Sequence, residues 1–88
     1  MDIERAWDVH PQVSLRPEPF GAMLYHFGTR KLSFLKDRTL LSIVETLAVS
    51  PSVHAACKTV GVSDEDLPRF TAALEILERS AMLIERAS

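Results

Sequence analysis

A surplus of charge of either sign is missing: ten Lys and Arg face twelve Asp and Glu, for a net charge of -2. Such a balance gives no global attraction for nucleic acid or for an anionic membrane. Cysteine is nearly absent too, and Cys57 alone forms no internal disulfide. With three glycines there is no Gly-rich phosphate loop and no nucleophile elbow. Histidine is scarce and scattered, at His10, His26 and His54. His54 and Cys57 do stand one helical turn apart, but a metal centre needs three or four ligands, and no second cysteine or carboxylate pair completes this one. The pair reads as a surface histidine and a buried thiol. No apolar run approaches the about 18 residues of a membrane span, and the start of the chain has no secretory pattern. The expectation is a cytoplasmic protein with no membrane association, no metal and no cofactor, and not an enzyme.

What is there fits one domain over residues 1-88, with 47% hydrophobic and 25% charged residues. A chain of this length buries about 60 to 65% of its unfolded surface, enough for one core but not for a deep catalytic cavity as well. That favours a binding module. Prolines at 11, 17, 19, 51 and 68 punctuate the chain. Val13-Ser14-Leu15-Arg16 alternates apolar and polar, as a half-buried strand does, and predicts a first strand over about 9-16. Gly21 to Leu35 supplies two more, over about 21-27 and 31-35, around Gly-Thr-Arg-Lys. Pairing Phe27 with Leu32 puts Tyr25 opposite Phe34 and His26 opposite Ser33. Met23, Tyr25, Phe27, Leu32 and Phe34 then share the face expected to pack on the core.

After Lys36 the period becomes helical. Leu40, Ile43, Val44 and Leu47 predict a helix over about 38-48 capped by Asp37. Ser50 and Pro51 read as cap and first position of a second helix, about 51-60, with Val53, Ala56, Cys57 and Val60 on one face and Gly61 as its stop. A third, about 65-80, carries Leu67, Phe70, Leu74, Leu77 and Ala81; Pro68 stands fifth in it if Ser63 is the cap and second if Asp66 is, so an irregular first turn is expected. Met82-Leu83-Ile84 returns the tail to the core. The fold class is α+β, winged helix-turn-helix-like, with a three-stranded antiparallel sheet followed by three helices.

Ala-Ala-Cys-Lys-Thr-Val-Gly-Val-Ser, from Ala55, resembles the helix-turn segment of helix-turn-helix proteins and raises a DNA-binding regulator as the alternative. Where such a motif meets phosphates, this chain carries Asp64-Glu65-Asp66, with Arg69 alone to offset them. No nucleic-acid partner is expected.

The sheet edges say more. Pro11, Pro17 and Pro19 guard the first strand, whereas Leu32-Ser33-Phe34-Leu35 holds neither proline nor charge and could accept a strand from another chain. The bland alternative is that Met82 to Ile84 covers this edge. Around it, Arg30, Lys31, Lys36 and Arg38 outnumber Asp37, which favours an acidic guest. The same edge offers a route to a homodimer.

These residues carry a family resemblance. Residues 13-36, with Arg-Pro-Glu-Pro-Phe-Gly and Tyr-His-Phe-Gly-Thr-Arg as their most specific strings, closely resemble the N-terminal half of the mycofactocin biosynthesis peptide chaperones, PqqD-like recognition elements. The likeness continues through Arg38-Thr39-Leu40-Leu41 and Cys57-x-x-x-Gly61-Val62. It implies a domain that binds the leader of a ribosomally made precursor peptide as an extra strand on its third strand, in the groove beside the third helix, and delivers it to a radical S-adenosylmethionine maturase. The implied peptide-binding residues are Leu32, Ser33, Phe34 and Leu35 on the strand and Phe70, Ala73, Leu74 and Leu77 on the helix, with Arg30, Lys31 and Lys36 steering an acidic leader. No iron-sulfur cluster is expected in the chaperone itself, since one cysteine could not ligate it.

Overall fold

The computed structural model describes residues 1-86. Strand β1 (Trp7–Val9) is followed by β2 (Val13–Glu18), β3 (Gly21–His26) and β4 (Leu32–Leu35), then by helices α1 (Arg38–Thr46), α2 (Val53–Val60) and α3 (Leu67–Arg79), and by a last strand, β5 (Leu83–Glu85). A 3-10 turn, Leu47–Val49, continues α1. The expected α+β order holds, with β2, β3 and β4 forming the three-stranded antiparallel sheet ahead of the three helices.

Two of the differences from the sequence reading lie outside the hairpin. The stretch expected as one strand from Val9 is two, because His10, Pro11 and Gln12 turn the chain: Val13 N–H donates to the carbonyl of His10. The freed β1 pairs antiparallel with β5, Trp7 opposite Glu85 and Val9 opposite Leu83. Met82 and Leu83 are buried, so the tail does return to the core, but at β1 and away from β4. The second difference is the cap of α2. Ser52 Oγ accepts the Ala55 N–H at 3.0 Å, while Ser50 Oγ donates to the carbonyl of Thr46 and closes the 3-10 turn. The first N–H groups of α2, on Val53 and His54, donate to the carbonyls of Arg5 and Ile3, so the N-terminal segment satisfies donors that a helix start leaves free.

The remaining punctuation acts as read. Asp37 caps α1, its carboxylate accepting from the N–H of Thr39 at 2.7 Å and of Leu40 at 3.3 Å. Gly61 ends α2 in the left-handed region, with φ of 95°. Asp66 takes the cap position of α3, which puts Pro68 second in the helix, where no intrahelical N–H is lost.

The hairpin departs most from expectation. Met23, Tyr25, Phe27, Leu32 and Phe34 do share one face, but it is the outward one. The core receives Ala22, Leu24, His26 and Leu35, each at 3% exposure or less, against Ile43, Val44, Leu47, Leu74 and Met82 from the opposite layer. Pairing is also displaced: Tyr25 faces Leu32 and Met23 faces Phe34. The cause lies in His26. Its buried ring accepts the N–H of Gly28 and of Thr29 through Nδ1, at 3.0 and 3.1 Å, so the turn begins one residue earlier and uses 27-30, with Arg30 at φ of 62°. A slip of this kind preserves which residues share a face, since side-chain direction repeats every two residues. Ala22, Leu24 and Leu35, with the His26 imidazole, then fill the layer between sheet and helices, and the rings of Tyr25, Phe27 and Phe34 are left on the outer face.

Candidate functional site

Strand β4 has β3 on one side and no strand on the other among the described residues. The backbone parity of that free side follows from two hydrogen bonds. His26 N–H donates to the carbonyl of Lys31, and Phe27 N–H donates to the carbonyl of Gln12. Backbone groups alternate in direction along an antiparallel ladder. Ser33 and Leu35 therefore spend their N–H and C=O groups on Leu24 and Ala22 of β3, while Leu32 and Phe34 point theirs away from the sheet. An edge of this kind is a template for another strand, each new backbone bond being worth roughly 0.5–1.5 kcal/mol net.

Beside this edge lies a groove of about 280 Å³, walled by Ser33, Phe34 and Leu35 on β4, Ala73, Ile76 and Leu77 on α3, and Leu40 from α1. Of the helix positions named from the resemblance, Ala73 and Leu77 reach it. Phe70 and Leu74 do not; both are buried in the core, at 5% and 0% exposure. Ile76 is the residue the sequence reading missed. It stands 60% exposed, and its signal was present as an apolar side chain three residues beyond Ala73, off the stripe marked by Phe70, Leu74 and Leu77. Leu32, 47% exposed, lies on the edge with its side chain on the outward face.

Arg30, Lys31 and Lys36 are all exposed around β4, and none of them forms an ion pair among the described residues. Arg38 is held differently, its guanidinium donating to the carbonyl of Pro19 at 3.0 Å. The charge around the edge is therefore net positive, these cations outnumbering Asp37. At the start of α3, by contrast, Asp64, Glu65 and Asp66 are exposed together, where a helix-turn-helix protein would need to meet a polyanion.

Of the groups that could suggest chemistry, His10 and His26 stand together with ring centroids 4.4 Å apart, but among the described residues no third ligand joins them. His54 Nδ1 is 3.0 Å from Glu4 Oε1 and does not join Cys57 in a ligand pair. Cys57 is inaccessible to solvent, and burial pushes its thiol pKa up, which makes it a poor nucleophile and a poor ligand. Among the described residues no three His, Cys, Asp or Glu side chains are placed to hold a metal ion, and no helix is long and apolar enough to cross a membrane.

Fold and site together define a small α+β protein with a bare sheet edge set beside an apolar groove, the two features a strand-accepting module requires. The chain belongs to the peptide chaperone MftB family, whose model matches residues 6–84. It is 56% identical over 85 residues to the peptide chaperone MftB of Mycobacterium tuberculosis, a match covering 97% of this chain and 78% of the relative. The peptide chaperone MftB of Mycobacterium ulcerans is 54% identical over 83 residues, covering 94% and 76%. That of Mycolicibacterium smegmatis is 49% identical over 83 residues, covering 94% and 81%. No solved structure matches the chain.

Proposed function

We propose that this chain is a non-catalytic peptide chaperone that binds the ribosomally made mycofactocin precursor peptide as an added strand on β4 and delivers it to a radical S-adenosylmethionine maturase. The observation that carries the reading is the free β4 edge beside the β4–α3 groove in a member of a peptide chaperone family. Backbone bonds to Leu32 and Phe34 supply sequence-tolerant affinity. Guest side chains opposite Ser33 and Leu35 enter the groove against Ala73, Ile76 and Leu77, which sets register. Arg30, Lys31 and Lys36 speed the encounter with an acidic leader. Holding the leader then raises the effective concentration of the modifiable end at the enzyme, so modest contacts suffice.

The test is a titration of isotope-labelled protein with the synthetic precursor peptide. Resonance shifts at 31-36 and at Ala73, Ile76 and Leu77 are expected. Absence of shifts at micromolar concentration, or shifts confined to β1 and β5, would overturn the reading. Repeating the titration from about 0.05 M to about 0.5 M salt checks the steering, since exposed charges are screened over that range. Affinity should fall several-fold, and a flat response would remove the basic residues from the mechanism.

A further inference from the structure

The hairpin carries a second apolar surface that meets the groove only at Phe34. On the face turned away from the helices, Ser14, Tyr25 and Leu32 form one cross-strand row and Arg16, Met23 and Phe34 the next. Phe27 is 63% exposed and Phe34 54%, with Phe20 at their border at 48%. The rings are organised: Tyr25 meets Phe27 edge-on at 5.0 Å, and Phe20 tilts against Phe34 at 6.1 Å. The chain has one Trp, one Tyr and four Phe, and most of these rings stand here in contact with water. Exposed patches of clustered aromatic side chains mark interaction surfaces, where such rings dominate binding energy.

We infer that this outward sheet face docks a folded partner protein that presents an apolar patch bordered by carboxylates. The shape excludes an extended peptide as the main occupant. A peptide backbone needs an edge to pair with, whereas this surface is the face of the sheet, running about 20 Å along β3 and across three strands, and it offers side chains instead of free backbone groups away from the β4 edge. Charge selects among folded partners. Arg16, Arg30, Lys31 and Lys36 are exposed around the patch, and of the four only Arg16 is paired, with Glu18 at 3.1 Å. A second copy placed face to face about a two-fold axis would bring these cations together, which costs affinity instead of adding it. A carboxylate-rimmed partner gains from each of them.

Phe34 belongs both to this face and to the groove wall, so the two surfaces are continuous. A strand added at β4 would extend the outward face, with alternate guest side chains lying beside Leu32 and Phe34 in view of the partner. On the function proposed above, the partner is the maturase that receives the peptide, and the inference rests on that reading. It adds that enzyme and leader occupy adjoining surfaces at once, so that peptide bound to β4 strengthens the docking.

The experiment uses purified maturase and precursor peptide with Met23→Glu and Tyr25→Glu, neither of which lines the groove. Each substitution is expected to weaken maturase binding about tenfold or more, as loss of an interface anchor does, with peptide affinity and thermal transition unchanged. Phe27→Ser, beyond the last ladder pair, serves as a variant that leaves the sheet intact and should weaken docking in the same direction. If the parent binds peptide but maturase affinity stays within about twofold in all three variants, the docking face is overturned while the peptide reading stands. If the parent binds no peptide, it is the function proposed above that fails, and this inference with it. A micromolar dimer, or binding to anionic vesicles, that Tyr25→Glu abolishes would replace the inferred occupant and overturn it too.

Discussion

Gly21 lies against the carbonyl of Leu35 so closely that a β-carbon built on it would come within 2.0 Å of that oxygen and 3.0 Å of the carbonyl carbon. Its φ of 149° is also one that side chains rarely adopt. The absence of a side chain at the start of β3 is therefore what lets the end of β4 close onto the sheet, and so fixes where the open edge stops.

Gly21→Ala is expected to cost about 2–4 kcal/mol, because the obstruction is backbone and the strand must shift to relieve it. Gly61→Ala, where nothing lies within 4 Å and only the left-handed φ is strained, should cost about 1 kcal/mol. Urea denaturation of the two variants side by side checks the ranking. Equal losses would mean that the Gly21–Leu35 approach carries no special weight.

Proline substitution separates the two sides of β4. Ser33→Pro removes a donor spent on β3 and should destabilise the fold by about 3 kcal/mol. Phe34→Pro removes a donor that faces away from the sheet; edge strands tolerate this, so the melting transition should hold while peptide affinity falls about tenfold or more. Phe34→Ala, which keeps the N–H, isolates the backbone part of that loss. Calorimetric titration with the precursor peptide and thermal melts read both quantities, and the reverse ranking would refute the parity deduced from the His26–Lys31 bond.

The helices and the open edge were legible because their signals are local. Asp37, Gly61 and the spacing of Leu40, Ile43, Val44 and Leu47 act within a few residues of themselves, and the lack of proline or charge in Leu32 to Leu35 is visible on inspection. The hairpin face was not legible, since hydrophobicity marks both faces of this sheet: Met23, Tyr25, Phe27, Leu32 and Phe34 outside, Ala22, Leu24 and Leu35 inside. The choice between them is tertiary, set by the layer that Ile43, Leu74 and Met82 leave to fill. The β1–β5 pair is likewise non-local, joining residues at the two ends of the chain by three-residue strands too short to show a period. Ile76 escaped for a related reason, because an apolar residue off the buried stripe has no meaning until something stands across from it.

Ile76 and Leu74 test that distinction on one helix. Ile76→Asp places a charge on an exposed groove wall, so peptide affinity should fall about tenfold while stability changes by no more than about 0.5 kcal/mol. Leu74→Ala opens a cavity in the core and should cost about 2–5 kcal/mol of stability. Binding that survives Ile76→Asp unchanged would move the guest off the groove.

Cys57 gives the fold a pH dependence whose sign is set by burial. Desolvation raises its thiol pKa above the ordinary value of 9.0, so the folded state keeps the proton at a pH where the unfolded chain has begun to lose it. An unfolded state that binds fewer protons makes stability fall with rising pH. The contribution is complete below the unfolded pKa and drains away as pH climbs toward the folded one, by at most about 1.4 kcal/mol per pH unit. Comparison with Cys57→Ala isolates the contribution of this thiol. At neutral pH the alanine variant should be less stable by about 1 kcal/mol, for the lost sulfur packing. Above pH 9 the parent should lose stability faster than the variant, closing that gap. Denaturant midpoints from neutral pH upward provide the measurement, and a gap that stays constant would mean the thiol titrates alike in both states and is open to solvent in the folded protein.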